Sequence, residues 1–241
     1  MTHIDADGKY FQKLNEEIRA ASDPEVAVTN CMGQRYIGAG LSGKHILVEG
    51  VPGNDLGCYL NGAAIRVKGN AQDQTGDTMN EGTIVVEGSS GDATGYSMRG
   101  GKIMIRDGVG YRAGIHMKAY GSHQPAIVVG GEAGSFLGEY QAGGTIVVLG
   151  LGSKRKAPVG NRICAGMHGG KMFLRCEELP ADLPAQVTGV RADEKDMARI
   201  DGLLREFCET FGVEMKEILA KPFYRITPDT KNPYQALYTF N

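Results

Sequence analysis

The chain has 241 residues, with 26 Lys+Arg against 28 Asp+Glu and a formal net charge of -2. That balance argues against a nucleic-acid binder working through a strongly basic surface, and no run approaches the 18 apolar residues of a membrane-spanning helix. Hydrophobic residues make up 41% and charged residues 22%, which is ordinary globular usage, so the anomaly is glycine: 36 residues, about twice the usual share.

The opening segment MTHIDADGKYFQKLNEEIRA has no basic stretch followed by an apolar one, so no secretory leader is expected and the chain reads as soluble and cytoplasmic. Residues 10–21 (YFQKLNEEIRAA) predict a short amphipathic helix within an N-terminal cap spanning 1–24. Residues 25–42 predict an irregular first coil or cap for the repeat that follows.

That repeat occupies 25–177. Glycines recur every nineteen residues at Gly57, Gly76, Gly95 and Gly114, then at Gly138 after a five-residue insertion, and 29 of the 36 glycines lie between residues 43 and 170. Eleven residues before each stands an isoleucine opening a short run: ILVEG from Ile46, IRVKG from Ile65, IVVEG from Ile84, IMIRD from Ile103 and IVVGG from Ile127. IVVLG from Ile146 and MFLRC from Met172 continue the series with looser spacing. A unit this short has no room for a helix plus a strand with connectors, and its apolar runs are rich in Val and Ile. The expected fold is therefore all-β, a solenoid of about seven coils forming a single-stranded parallel β-helix, with short helices at either end. At about 4.8 Å per coil it is roughly 35 Å long.

The columns of the repeat sharpen this expectation. Ile46 to Ile146 predict one inward ladder, and Val48, Val67, Val86, Ile105, Val129 and Val148 the next. Leu60, Met79, Met98 and Met117 predict core filling rather than a metal or heme site. Outside, Glu49, Lys68, Glu87 and Arg106 alternate in sign as a structural ladder. The other outward column, Leu47, Arg66, Val85, Met104, Val128, Val147 and Phe173, is apolar from the third coil onward and needs a cover, either the C-terminal helix or a partner subunit.

Residues 178–241 comprise a linker, amphipathic helices and an aromatic tail. In DEKDMARIDGLLREFCETFG, Met197, Ile200, Leu204, Phe207 and Phe211 fall on one face, Gly212 ends the helix, and VEMKEILA adds a short second one. The tail carries Phe223, Tyr224, Tyr234, Tyr238 and Phe240 with Pro222, Pro228 and Pro233. It predicts an extended segment that either packs along its own solenoid or straps onto a partner.

Few residues point to chemistry. Cys31, Cys58, Cys164, Cys176 and Cys208 form no CxxC pair and read as buried free thiols. His3, His45, His116, His123 and His168 share no ligand spacing, and no G-x-S-x-G occurs. Asn54, Asp73 and Asp92 stack along one edge, an arrangement open to Ca²⁺ or sugar cleavage but read first as turn caps, since the column continues as Tyr111 and Ser135. The glycine-rich GVGYRAG from Gly108 precedes no helix and is not a nucleotide site. The basic loop at Lys154, Arg155 and Lys156 is solvated or docks an acidic group.

The coils ending in Gly-Gly-x-Ile (GGKIMI, GGTIVV, GGKMFL), the corners GDATGYSMRGG and GEYQAGG, and the segment PVGNRICAGMHGG together resemble the GXGXG β-helix family over residues 25–177. That domain ends the large glutamate synthase subunit and also forms one of the subunits of formylmethanofuran dehydrogenase. The segment LLREFCETFGVEMKEILAKPF is similar to stand-alone glutamate synthase domain-three proteins. The resemblance implies a right-handed solenoid acting as a non-catalytic scaffold in a glutamate synthase-type complex that converts glutamine and 2-oxoglutarate to glutamate. A glutamine amidotransferase subunit and an FMN/Fe–S synthase subunit are the expected partners, with FMN and Fe–S on the partners and no cofactor in this chain. No catalytic, cofactor-binding or metal residue carries over; Gly57, Gly76, Gly95, Gly114 and Gly138 carry over as structural positions. Two alternatives remain: a scaffold subunit of a formylmethanofuran dehydrogenase-like complex, and a free-standing β-helix enzyme acting on acidic polysaccharides through Asp73 and Asp92.

Overall fold

A computed structural model of the chain describes residues 1–229. Its elements in chain order are β1 (Thr2–Asp5), α1 (Phe11–Ala20), β2 (Glu25–Met32), β3 (His45–Val51), β4 (Asn61–Lys68), β5 (Glu81–Val86), β6 (Lys102–Ile105), β7 (Ala126–Val129), β8 (Ala142–Val148), β9 (Gly169–Arg175), β10 (Val187–Arg191), α2 (Glu194–Phe211), α3 (Met215–Ile218) and β11 (Phe223–Pro228). The fold is all-β in its body: the eleven strands form one sheet in the order β1-β2-β3-β4-β5-β6-β7-β8-β9-β11-β10. Strands β1 to β9 pair in parallel, and β11 enters antiparallel between β9 and β10.

Register follows the repeat. Ile46, Ile65, Ile84, Ile103, Ile127, Ile146 and Met172 are successive partners, as are Val48, Val67, Val86, Ile105, Val129, Val148 and Leu174. All are buried, and they alternate with the outward column as a pleated strand requires. Residues 25–32 form β2, a strand in register with the ladder at Val26 opposite Ile46 and Val28 opposite Val48, and irregular beyond, as expected of the first coil. Its offset from β3 is twenty residues rather than nineteen, and a register shift between Val28 and Cys31 absorbs the extra one.

Between strands, each unit turns through residues in left-handed backbone at alternate positions. These turns centre on Gly38, Gly57, Gly76, Gly95, Gly114, Gly138 and, in the last, Cys164. Alternation aims successive amides in opposite directions along the stack. The Gly57 N–H donates back to Ile37 O, while the Asp55 and Tyr59 N–H groups donate forward to Asp73 O and Asp77 O.

Glycine is required at the centre for two reasons at once. Gly95 has φ +71, and a Cβ there would lie 2.5 Å from Ile127 Cδ1; at Gly76 the corresponding distance to Ile103 Cδ1 is 2.4 Å. The glycine and isoleucine periods are therefore two sides of one contact. Cys164 escapes this crowding because the strand after its own is antiparallel β11; its Sγ instead sits 3.6 Å from Met172 Sδ.

The interior column of Leu60, Met79, Met98 and Met117 is fully buried among apolar side chains, as core filling requires. After the insertion the same position holds Gln141, also fully buried. Its Nε2 donates to the carbonyls of Gly143 and Gly144, while Oε1 has no partner.

Helix α2 covers the apolar outer face in cis. Asp193 caps it, its carboxylate accepting from Asp196 N at 2.8 Å, and Gly212 ends it in left-handed conformation at φ +68. Ile200, Leu204 and Phe207 are buried against Met104, Val128, Val147 and Phe173, with Met197 and Phe211 at the margin. Each such burial contributes about 1.5–3 kcal/mol. Cover thins toward the first strands: Val85 is half-buried at its margin, Arg66 is exposed with its Nη2 3.5 Å from Thr210 O, and Leu47 is half-buried.

The first part of the tail is strand β11, with Phe223 buried and Tyr224 Oη donating to Glu177 O at 3.2 Å. Pro233, Tyr234, Tyr238 and Phe240 lie outside the described residues. Among the described residues no helix is long and apolar enough to cross a membrane.

Candidate functional site

The acidic edge singled out in the sequence is tied into the backbone. Asp73 Oδ1 accepts from Asp92 N at 2.9 Å, Asp92 Oδ1 from Tyr111 N at 2.8 Å, and Ser135 Oγ from Asn161 N at 3.0 Å. Each carboxylate thus braces the turn of the next unit through one of its oxygens. Replacing Asp73 with alanine is expected to cost about 1 kcal/mol, and Asp73→Asn, which keeps an acceptor oxygen, much less; urea midpoints compare the two.

A second acidic pair escaped the sequence reading. Asp55 and Asp77 flank Cys58 on the turn edge, and burial raises the pKa of both. The charge of Asp77 raises Asp55 further, and the Thr78 hydroxyl partly offsets the shift of Asp77. A carboxyl whose folded pKa lies above its unfolded value binds its proton more tightly when folded, so its contribution to stability falls as pH rises from the ordinary value of 3.8 through the raised one. Asp77→Asn is expected to raise stability at pH 7 relative to pH 4, which paired denaturant melts would detect.

Burial also governs the thiols. It pushes Cys164 up to about 12, and Cys31, Cys58 and Cys176 up to about 11; Cys208 is raised but half-exposed. With a pKa near 11, about one thiol in a thousand is ionised at pH 8. Native alkylation at that pH followed by mass spectrometry should therefore label Cys208 first and leave Cys164 intact.

Three of the histidines have separate partners. His116 stacks on Tyr140 with ring centroids 5.1 Å apart, His45 Nδ1 lies 4.0 Å from Glu25 Oε1, and His168 Nδ1 meets Gly166 O at 2.9 Å. Among the described residues no group of three or more His, Cys, Asp or Glu could hold a metal ion. Gly57, Gly76, Gly95, Gly114 and Gly138 sit at the centres of the turns, against the ladder side chains.

Around the helical cover, Arg175 is 6% exposed and binds three carbonyls: Nε to Ile218 O at 2.7 Å, Nη1 to Leu149 O at 2.9 Å and Nη2 to Glu217 O at 2.8 Å. It joins α3 to the sheet. Arg225 Nη1 holds the buried Asp196 of α2 at 3.0 Å. In the basic loop, Arg155 reaches Val159 O at 3.1 Å and Glu132 at 3.7 Å, and Lys156 pairs with Glu178 at 3.0 Å, so two of its cations are engaged within the chain. The outward ladder re-pairs too: Lys68 meets Glu49 at 3.0 Å, but Glu87 turns to Arg66 and Arg106 to Asp107.

The turn edge also exposes aromatic side chains. Tyr59, Tyr96, Tyr111 and Tyr140 are exposed along it, a residue type enriched where proteins dock.

Residues 15–229 match the protein family described as GXGXG motif. The chain is 41% identical over 254 aligned residues to the uncharacterized protein MJ1350 of Methanocaldococcus jannaschii, covering 98% of this chain and 95% of that protein. A chain of the formyltransferase/hydrolase complex (FhcABCD) from Methylorubrum extorquens, solved with methylofuran, is similar in fold. The TM-score is 0.62 at 20% identity, over 95% of this chain and 91% of that one.

Proposed function

Because the chain belongs to the GXGXG-motif family, we propose that its units wind as a right-handed, single-stranded parallel β-helix and that the protein is a non-catalytic scaffold subunit of a multi-subunit enzyme. The observation that carries this reading is coverage: the likeness to a chain of FhcABCD runs over 95% of this chain and 91% of that one. The unit-to-unit hydrogen bonds supply the stiffness such a role needs, and the tyrosine-bearing turn edge supplies surface for docking.

The fold likeness favours a formylmethanofuran dehydrogenase-like or formyltransferase/hydrolase complex as the assembly. A glutamate synthase-type complex is the second reading. It is supported by the likeness of LLREFCETFGVEMKEILAKPF, the segment that includes most of the cover, to stand-alone glutamate synthase domain-three proteins. There the partners are a glutamine amidotransferase subunit and an FMN/Fe–S synthase subunit, which carry the cofactors. A free-standing β-helix enzyme acting on acidic polysaccharides through Asp73 and Asp92 is the third reading; one oxygen of each carboxylate is taken by a backbone N–H of the next unit. In both scaffold readings the chain lies in the cytoplasm.

Affinity capture of the tagged chain from its native cells, with mass spectrometry and an absorption spectrum, tests the reading. A formyltransferase or hydrolase partner assigns the first assembly, and an amidotransferase with a yellow-brown flavin and iron–sulfur protein assigns the second. Recovery of a colourless monomer contradicts both.

A further inference from the structure

The residue after each interior methionine faces outward at the edge where the strands begin. In two consecutive units that residue is cationic: Arg99 after Met98 and Lys118 after Met117. The Arg99 N–H donates to Met79 O at 2.8 Å and the Lys118 N–H to Met98 O at 2.9 Å, which fixes the two backbones one strand spacing, about 4.8 Å, apart. Arg66, Lys102, Arg106, Arg112, Arg155 and Lys156 each face a carboxylate. Arg99 and Lys118 face none among the described residues, and stacked like charges repel.

The insertion after Met117 builds a wall beside them. Tyr120 and His123 exchange backbone hydrogen bonds of 3.1 and 2.9 Å, closing a tight loop. The loop rests on Gly100, where a Cβ would lie 3.0 Å from His123 Cβ. Ser97, Arg99, His116, Lys118 and Tyr120 together line a cavity of about 360 Å³. His116 is fixed there by its stack on Tyr140 and by the edge contact with Tyr96, ring centroids 5.9 Å apart. All five side chains can donate a hydrogen bond, and none is acidic.

We propose that this cavity binds an oxyanion, a phosphate or carboxylate group, with Arg99 and Lys118 supplying charge and Ser97, His116 and Tyr120 supplying hydrogen bonds. The guanidinium fork suits two oxygens of one group, and an anion between the stacked cations removes their repulsion. A volume at the low end of the range for ligand pockets suits one small anion or one acidic side chain. The inference does not depend on the scaffold reading, because it concerns the chain alone.

The two sources of such a group are a free small anion and the acidic side chains of a docked protein. Calorimetric titration of the full chain at fixed ionic strength, with inorganic phosphate and separately with a capped tetraglutamate peptide, distinguishes them. Saturable binding of at least one probe is expected. Tighter binding of phosphate assigns a free anion, and peptide binding at least tenfold tighter assigns protein carboxylates. The Arg99→Gln/Lys118→Gln double variant should weaken the binding at least tenfold without lowering the melting temperature, since both side chains are exposed. Lys118→Arg, which keeps the charge, should retain it. Failure of both probes to saturate, or equal binding by the double variant, overturns the proposal.

Discussion

Replacing Gly95 with valine is expected to cost about 2–5 kcal/mol, and Gly76→Val the same. Two penalties combine: a β-branched residue held at φ +71 costs about 1–2 kcal/mol, and its side chain must displace Ile127 from a packed interior, about 1–3 kcal/mol more. Against a total stability of about 5–15 kcal/mol, either variant becomes marginal. Gly202→Ala is the control. Gly202 lies inside α2, where a Cβ would meet nothing within 4 Å, so alanine should add about 0.5–1 kcal/mol. Urea melts of the three variants separate a contact specific to the turn from a general effect of losing glycine. Unchanged midpoints for Gly76→Val and Gly95→Val would contradict the packing of turn against ladder.

The second large effect belongs to Arg175. Alanine there should cost about 3–5 kcal/mol, because the carbonyls of Leu149, Glu217 and Ile218 lose a charged donor within a buried seam. The loss should be local before it is global. Leu149 belongs to the sheet side and the other two carbonyls to α3, so the helical cover should loosen while the ladder persists. Native-state hydrogen exchange reads this directly: amides of α2 should open at much lower free energy in Arg175→Ala, while those of β5 and β6 keep theirs until global unfolding. Equal loss of protection in both regions would show that cover and sheet form one cooperative unit.

The body of the fold was legible because its two strongest signals touch. Gly76 recurs at Gly95 for the same reason that Ile103 recurs at Ile127: each glycine leaves the space that the isoleucine fills. A pattern enforced by contact between equivalent positions survives in the sequence as a period. Strand β2 was obscured because its twenty-residue offset and bulge break that period locally. Strands β1 (THID) and β11 (FYRITP) are short and mixed in composition, and gain their strand character by pairing with an edge already formed.

Side-chain chemistry was harder to read, since it depends on neighbours one unit away. The run Lys154, Arg155 and Lys156 drew attention by being contiguous, yet Arg155 and Lys156 meet Glu132 and Glu178. Arg99 and Lys118 lie nineteen residues apart and become neighbours only when the repeats are stacked column by column. Arg175 carried a similar signal: it occupies the column of Glu49 and Lys68, but its nearest equivalents are Gly130 and Leu149, which marks a covered stretch of the face.

Under the proposed function the chain organises catalytic subunits and performs no chemistry itself. The most direct test mixes the purified partners identified by capture, with and without this chain, and follows assembly mass and turnover together. The partners are expected to form a complex of defined mass and to couple their reactions only when the chain is present. Assembly and coupled turnover that are unchanged in its absence would contradict the proposed function.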